Sequence, residues 1–347
     1  MLLLSQTINE HGQAMSPYMA IDQLRALESV MAARGWPVIG SLYKASKLRK
    51  WKDVPAAQLH QWAQEDLAQY RANSLNLRLS DHKVIALDCD FNDPDLMRAF
   101  CDGAESVLSL SPEQIYTCAG KKGGKLFFRF LGGTGRHKPP RLAALTGYTK
   151  GHAGDSDYKQ ELELKTDLST VAGFHSVTSS GEVVLYTAYS KYPYIVHAAP
   201  QDLATITSAD IMLLHSLFNR LLIERGFVDA QGGPIKRRAH RDLVRACAAS
   251  VLSYACRPDK NAQSLALCEY QMHMRPALVS LELFDACEAI EAVAYGAKVY
   301  DKRLEHDVSY LSDLYQAGDT KTLERLAGSF DTYLRRLWTK QQVRDQV

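Results

Sequence analysis

Apolar residues recur with two different spacings along the first part of the chain, one typical of helices and one typical of strands. A helical period predicts helices over residues 20–35 and 55–71, and a third helix that begins at Pro94. A period of two predicts two strands in "NSLNLRLSDHKVIALDCDF", a hairpin in "QIYTCAGKKGGKLFFRFL", and further strands in "ELELK" and "VVLYTAY". Residues 132–158 are rich in glycine and proline at their start, so we expect this segment to consist mainly of loops.

The pattern changes near residue 205, after which only the helical period recurs. "TSADIMLLHSLFNRLLIERG" predicts a helix whose first turn is capped by Thr207 and Asp210. Three or four further helices are predicted behind it. The pattern therefore predicts an α+β domain over residues 1–204, followed by an all-helical domain over residues 205–347.

Composition narrows the class of protein only a little. Of the 347 residues, 46% are hydrophobic and 23% are charged, which is ordinary for a globular protein. The net charge of +2 means that any site for a polyanion must be a local patch. The opening MLLL is too short for a signal peptide or an anchor. The seven cysteines include no CxxC pair, which argues against disulfides and structural zinc. We therefore expect a cytoplasmic protein with no membrane association.

The stretch "VIALDCDF" contains the first candidate for chemistry. Alternation places Asp88 and Asp90 on one face of a strand, together with Val84 and Ala86. Two carboxylates so close on one face repel each other, at a cost of roughly 1 kcal/mol. A nearby cation is expected to compensate, and a metal ion, an arginine side chain or the partner of a bound phosphate are the candidates.

Two further strands carry charges at alternate positions. In the hairpin, Lys125 and Arg129 share one face, and in "ELELK" the side chains of Glu161, Glu163 and Lys165 share another. Carboxylates from two strands suit a pair of Mg²⁺ or Mn²⁺ ions, which prefer oxygen ligands. Basic residues on a neighbouring strand would neutralise a triphosphate. The residues of these strands therefore favour nucleotide chemistry.

Taken in order, these segments resemble the archaeo-eukaryotic primase superfamily, and within it the primase–polymerases of phages, plasmids and integrated elements. "GWPVIGSLYKASKLRKW" is similar to an apolar strand followed by a basic loop and a tryptophan, and "NSLNLRLSDHKVIALDCDF" to the first motif of the family. "GGKLFFRF" corresponds to the second motif. "LELKTDLSTVAGFHSVTSSGEVVLY" resembles the third, through Glu163, Gly173, His175, Thr178, Gly181 and Tyr186.

The resemblance implies a catalytic domain with an RRM-like, antiparallel or mixed sheet and flanking helices. It implies that two divalent ions, Mg²⁺ or Mn²⁺, are held by Asp88, Asp90 and Glu163. Glu161 is a rival third ligand because a slip of two residues leaves the strand face unchanged. The nucleotide would be contacted by Lys125, where the family usually has histidine, and by Arg129, His175 and Lys122.

The same resemblance implies the partners of the protein. These are a single-stranded DNA template and ribo- or deoxynucleoside triphosphates, with the helical domain serving in template recognition and initiation. No Walker A motif occurs in the chain, so a replicative helicase would be a separate partner. Weaker candidates for nucleic-acid contacts are Lys47, Lys50, Trp51, Arg237 and Arg238.

Two alternatives to a DNA-dependent primase–polymerase stay open at this point. Pro94-Asp95 together with Glu163-x-Lys165 imitates a PD-(D/E)xK nuclease, although the two halves are unusually far apart in the chain. A replication initiator that binds origin DNA without catalysis is the second alternative. The sequence leaves the choice between ribo- and deoxynucleotides undecided.

Overall fold

A computed structural model describes most of the chain. The described residues are 7–8, 14–15, 17–42, 51, 54–79, 83–120, 122–131, 142, 144–166, 170–172, 176–177, 183–184, 186–235, 241–256, 259–281, 283–328 and 330.

The strands are β1 (Thr7–Ile8), β2 (Ala14–Met15), β3 (Val38–Ser41), β4 (Ser74–Arg78), β5 (Val84–Phe91), β6 (Tyr116–Ala119), β7 (Gly124–Phe130), β8 (Leu145–Tyr148), β9 (Lys159–Lys165), β10 (Thr170–Ala172), β11 (Ser176–Val177), β12 (Val183–Val184) and β13 (Thr205–Ile206). The helices are α1 (Pro17–Ala33), α2 (Ala56–Ala68), α3 (Pro94–Leu108), α4 (Ser208–Glu224), α5 (Arg241–Ala255), α6 (Lys260–Glu269), α7 (Arg275–Ser280), α8 (Phe284–Tyr295), α9 (Glu305–Gln316) and α10 (Thr320–Ala327). The protein is therefore α+β, as the sequence predicts.

The main sheet has six strands and is mostly antiparallel. Its order is β13-β7-β5-β9-β8, and β6 pairs with the half of β7 that β13 leaves uncovered. Only β13 runs parallel to its neighbour among these described strands. Strand β5 lies between β7 and β9, so its side chains have neighbours on both sides.

One face of this sheet is covered by helices α3 and α4. Their contact is aromatic: the ring of Phe91 stacks on Phe218 of α4 at 4.7 Å and meets Phe100 of α3 edge-on at 5.7 Å. The same apolar core continues into the later helices. The boundary at residue 205 stays a prediction, and the first elements beyond it, β13 and α4, pack directly on the sheet.

The opposite face of the sheet changes from apolar to polar along β5. Val84 and Ala86 are buried, together with Phe127 of β7, in a second core that also contains α1, β3 and β4. A small antiparallel sheet of order β10-β4-β3 lies in this second layer. The two residues that continue this face, Asp88 and Asp90, are the less buried ones on the strand. The polar site begins where the second core ends.

Most predicted elements are present close to their expected bounds. The loop prediction for residues 132–158 is wrong in part, because β8 forms inside it and pairs with β9. "LTGY" is too short for a periodic signal, and its glycine packs closely: a Cβ at Gly147 would lie 2.9 Å from Leu222. Six α-helices follow α4 among the described residues, more than the predicted three or four. No helix in these ranges is long and apolar enough to cross a bilayer.

Candidate active site on the face of the main sheet

Strand pairing brings the predicted acidic residues onto two neighbouring rows of the sheet. Asp88 lies directly opposite Lys125 of β7 on one side and opposite Glu163 of β9 on the other. Asp90 lies opposite Glu161. Side chains directly opposite each other in an antiparallel pair project from the same face, with Cβ atoms about 5 Å apart. We refer to Asp88, Asp90, Glu161 and Glu163 as the acidic rungs.

Lys125 is the most buried charged group of the site. Its ammonium lies 3.0 Å from Asp88 Oδ1, and the two side chains are 11% and 15% exposed. Burial by itself lowers the pKa of Lys125, but the carboxylate of Asp88, aided by Cys118 and Tyr186, outweighs it and the net pKa is raised. The Lys125 Nζ also lies 5.7 Å from the centre of the Tyr186 ring. Lys125 is therefore held charged between a carboxylate and an aromatic ring.

Two other lysines pair with the glutamates of β9. Lys165 Nζ lies 2.5 Å from Glu163 Oε2, and Lys159 Nζ lies 2.8 Å from Glu161 Oε2. The hydrogen bond to Glu161 raises the pKa of Lys159. These lysines flank the two glutamates at alternate positions of one strand, which is the pattern of charges in "KQELELK". The sequence thus contained this signal, although neither Lys159 nor Lys165 is among the predicted nucleotide contacts.

The turn between β6 and β7 passes unusually close to β5. Gly123 has a φ of +55°, and a Cβ at this position would lie 1.9 Å from the carbonyl oxygen of Cys89. Only glycine fits such a backbone conformation and approach. Lys122, in the same turn, is half-exposed and lies 3.7 Å from Asp157 of the segment between β8 and β9. The predicted nucleotide contact at Lys122 is therefore at the rim of the site.

Arg129 does not join the acidic rungs. It shares a face with Lys125, as the alternation predicts, but its backbone pairs with Val84, four residues farther along the strand. Four residues of strand span about 13 Å, and the buried Phe127 lies between the two cations. Alternation predicted the correct face of Arg129, but it contains no information about how far the polar region of that face extends.

Trp51 lies in a small core with Ile39 and Leu59, and it is only 8% exposed. Its carbonyl oxygen accepts a hydrogen bond of 2.8 Å from the buried Arg78. A base-stacking role would require the ring to leave this core. The other predicted contacts outside the acidic rungs lie beyond the described residues; these are Lys47, Lys50, His175, Arg237 and Arg238.

The Pro94-Asp95 pair of the nuclease pattern forms the start of α3. Asp93 caps this helix by accepting hydrogen bonds from the backbone N–H groups of Asp95, at 2.8 Å, and Leu96, at 3.2 Å. The Asp95 side chain is exposed and lies 3.2 Å from Arg98 on the same helix. Asp95 therefore belongs to the first turn of α3 and lies beyond the residues of β5 that pair with β9.

The acidic rungs have donors of the kind that Mg²⁺ and Mn²⁺ prefer, since all four are carboxylates. Within the described ranges, no group of three or more acidic, histidine or cysteine side chains is arranged around a point where an ion could bind. Three of the four carboxylates point to lysines instead. The donor chemistry fits these ions, and binding would require carboxylates to turn away from their lysines.

No protein-family model matches the chain, and no curated protein matches its sequence. The chemistry of the site is therefore inferred from its own residues.

Proposed function

We propose that the protein is a template-directed nucleotidyltransferase of the primase–polymerase type, with the acidic rungs as its active site. One observation carries the proposal: the register of three strands places Lys125, Asp88 and Glu163 in a single row. These residues come from three separate sequence motifs. The resemblance implies that their side chains act together, and the row is the arrangement that such a role requires.

Asp88, Asp90 and Glu163 would hold the divalent ions. When bound, a pair of such ions lowers the pKa of an attacking 3′-hydroxyl and offsets the charge of the pyrophosphate leaving group. We favour Glu163 over Glu161 as the third ligand because it shares a row with Asp88, and its side chain is 44% exposed and can turn. Glu161 is 21% exposed and shares its row with Asp90.

The chain's own cations would bind and orient the nucleotide. Lys125 stays charged, so its ammonium can donate to phosphate oxygens on the β7 side of the site. Lys165 and Lys159 offer the same group on the β9 side. The polyphosphate would then lie across β5, with Lys125 on one side and Lys159 and Lys165 on the other. The proposal assigns no nucleotide contact to Arg129, which is too far along β7.

The proposal is tested with unprimed single-stranded DNA, Mn²⁺ and labelled ribo- or deoxynucleotides. We expect oligomers that form only with template. Asp88→Asn should lower the rate on the order of 10³-fold, because it removes several kcal/mol of transition-state stabilisation. Asp102→Asn is the matched control, since this exposed aspartate of α3 pairs with Lys191 at 3.4 Å and lies outside the acidic rungs.

The comparison of Glu163→Gln with Glu161→Gln identifies the third ligand, and the former should be the more severe. Wild-type protein that forms no oligomer, or Asp88→Asn protein that forms as much as wild type, would contradict the proposal. Shortening of the template in place of synthesis would indicate a nuclease.

A further inference from the structure

Three of the described lysines on the polar part of this sheet face are each matched to one carboxylate of the acidic rungs. Lys125 pairs with Asp88, Lys165 with Glu163 and Lys159 with Glu161, at distances from 2.5 to 3.0 Å. The Lys165–Glu163 and Lys159–Glu161 pairs each lie within β9, whereas the Lys125–Asp88 pair joins β7 to β5. Among the described residues, these ion pairs neutralise Asp88, Glu161 and Glu163.

We infer that these three lysines are internal counter-ions that compete with divalent cations for the carboxylates and move onto the phosphates when a nucleoside triphosphate binds. Metal ion and nucleotide would then bind as a pair, each weakly without the other. The inference rests on the proposed function, because it takes the acidic rungs as the metal site and a triphosphate as the ligand.

The balance of charge supports this coupling. Two divalent cations added beside these ion pairs would bring four positive charges to carboxylates that the lysines already neutralise. Positive charges crowded on one partly buried face repel each other strongly. The negative charge of a bound triphosphate removes that repulsion. Without nucleotide, the lysines keep the carboxylates neutralised and disfavour the ions.

The geometry also allows the exchange. A lysine ammonium that lies 2.5 to 3.0 Å from a carboxylate oxygen blocks that side of the oxygen and repels an approaching divalent ion. Lysine has a flexible stem and three rotatable donors, so it can change partners without moving the backbone. Lys159 and Lys165 are 32% and 24% exposed at the side chain, which leaves them room to turn. Lys125 is more confined, with Tyr186 behind it.

The test is a titration with Mn²⁺ in the presence and absence of a non-hydrolysable triphosphate. Binding is measured by electron paramagnetic resonance or by calorimetry. Without nucleotide, Lys165→Met should bind Mn²⁺ about tenfold more tightly, the effect of removing one positive charge some 6 Å from a divalent ion in water. Lys125→Met should also bind Mn²⁺ more tightly, and the triphosphate more weakly. Lys191→Met is the matched control. The Lys191 Nζ lies 2.7 Å from Glu105 Oε1, and this ion pair is outside the acidic rungs.

The outcomes separate the inference from the proposed function. Tighter Mn²⁺ binding in both site variants, and unchanged binding in the control, would support the inference. Unchanged or weaker Mn²⁺ binding in Lys165→Met, with saturable binding by wild type, would overturn the inference and leave the proposed function standing. If neither wild type nor the Lys125→Met/Lys165→Met double variant binds Mn²⁺, both are overturned, because removing the competitors should expose the site. Circular dichroism verifies that each variant is folded.

Discussion

The close approach of the β6–β7 turn to β5 gives a quantitative prediction for Gly123→Ala. Alanine at a φ of +55° costs roughly 1 kcal/mol in backbone strain alone. The added Cβ would also lie 1.9 Å from the Cys89 carbonyl oxygen and 2.8 Å from the Phe91 nitrogen. Both atoms belong to the backbone of a central strand and cannot turn aside as a side chain can.

Relief of this contact requires the turn to move away from β5. Forcing extra volume into a packed region costs about 1–3 kcal/mol. We therefore expect Gly123→Ala to lower the free energy of unfolding by about 3 kcal/mol. Gly296→Ala isolates the backbone strain, because Gly296 has a φ of +67° and no atom within 4 Å of the added Cβ. This control should lose about 1 kcal/mol.

Urea unfolding followed by circular dichroism measures both losses. The difference between the two variants, about 2 kcal/mol, is the contribution of the contact with β5. Equal losses in Gly123→Ala and Gly296→Ala would refute the close approach. The displaced turn should also disturb the Lys125–Asp88 pair, since Lys125 is two residues away. Gly123→Ala should therefore bind the triphosphate more weakly than Gly296→Ala.

Two further predictions concern a helix cap and the cysteines. Asp93→Ala should lower the free energy of unfolding by about 1 kcal/mol, because two backbone donors of α3 lose their acceptor, and a urea midpoint equal to wild type would contradict this cap. Burial raises the pKa of Cys101 and of Cys118 to about 12, so both should remain protonated and unreactive at pH 8, whereas the exposed Cys268 should be alkylated first. Mass spectrometry after iodoacetamide treatment measures the order, and labelling of Cys118 as early as Cys268 would be contrary to the structure.

Alternation along single strands was enough to predict which side chains share a face. It assigned Asp88 and Asp90 to one face of β5, and the structure confirms this assignment through their pairing with Glu163 and Glu161. A period of two reports the face of each residue because neighbouring side chains point to opposite sides of a strand. The predicted cap of α4 by Thr207 and Asp210 was equally local, and it is confirmed.

The neighbours of each strand could not be predicted in the same way. The row that joins Asp88 to Glu163 depends on pairing between segments that are distant in the chain, and periodicity contains no register. Arg129 illustrates the limit, because the second core covers the face between it and Lys125. That core is built from helices and strands far from β7 in sequence. Trp51 is likewise buried by packing between segments, against Ile39 of β3 and Leu59 of α2.

The central claim is that the acidic rungs join nucleotides in an order set by a DNA template. The most direct measurement supplies an unprimed homopolymer template, Mn²⁺ and all four labelled nucleotides, and then determines which nucleotide enters the product. We predict adenine nucleotides on oligo(dT) and thymine or uracil nucleotides on oligo(dA), with Asp88→Asn abolishing both. Products whose composition is the same on both templates, or synthesis that survives Asp88→Asn, would contradict the account.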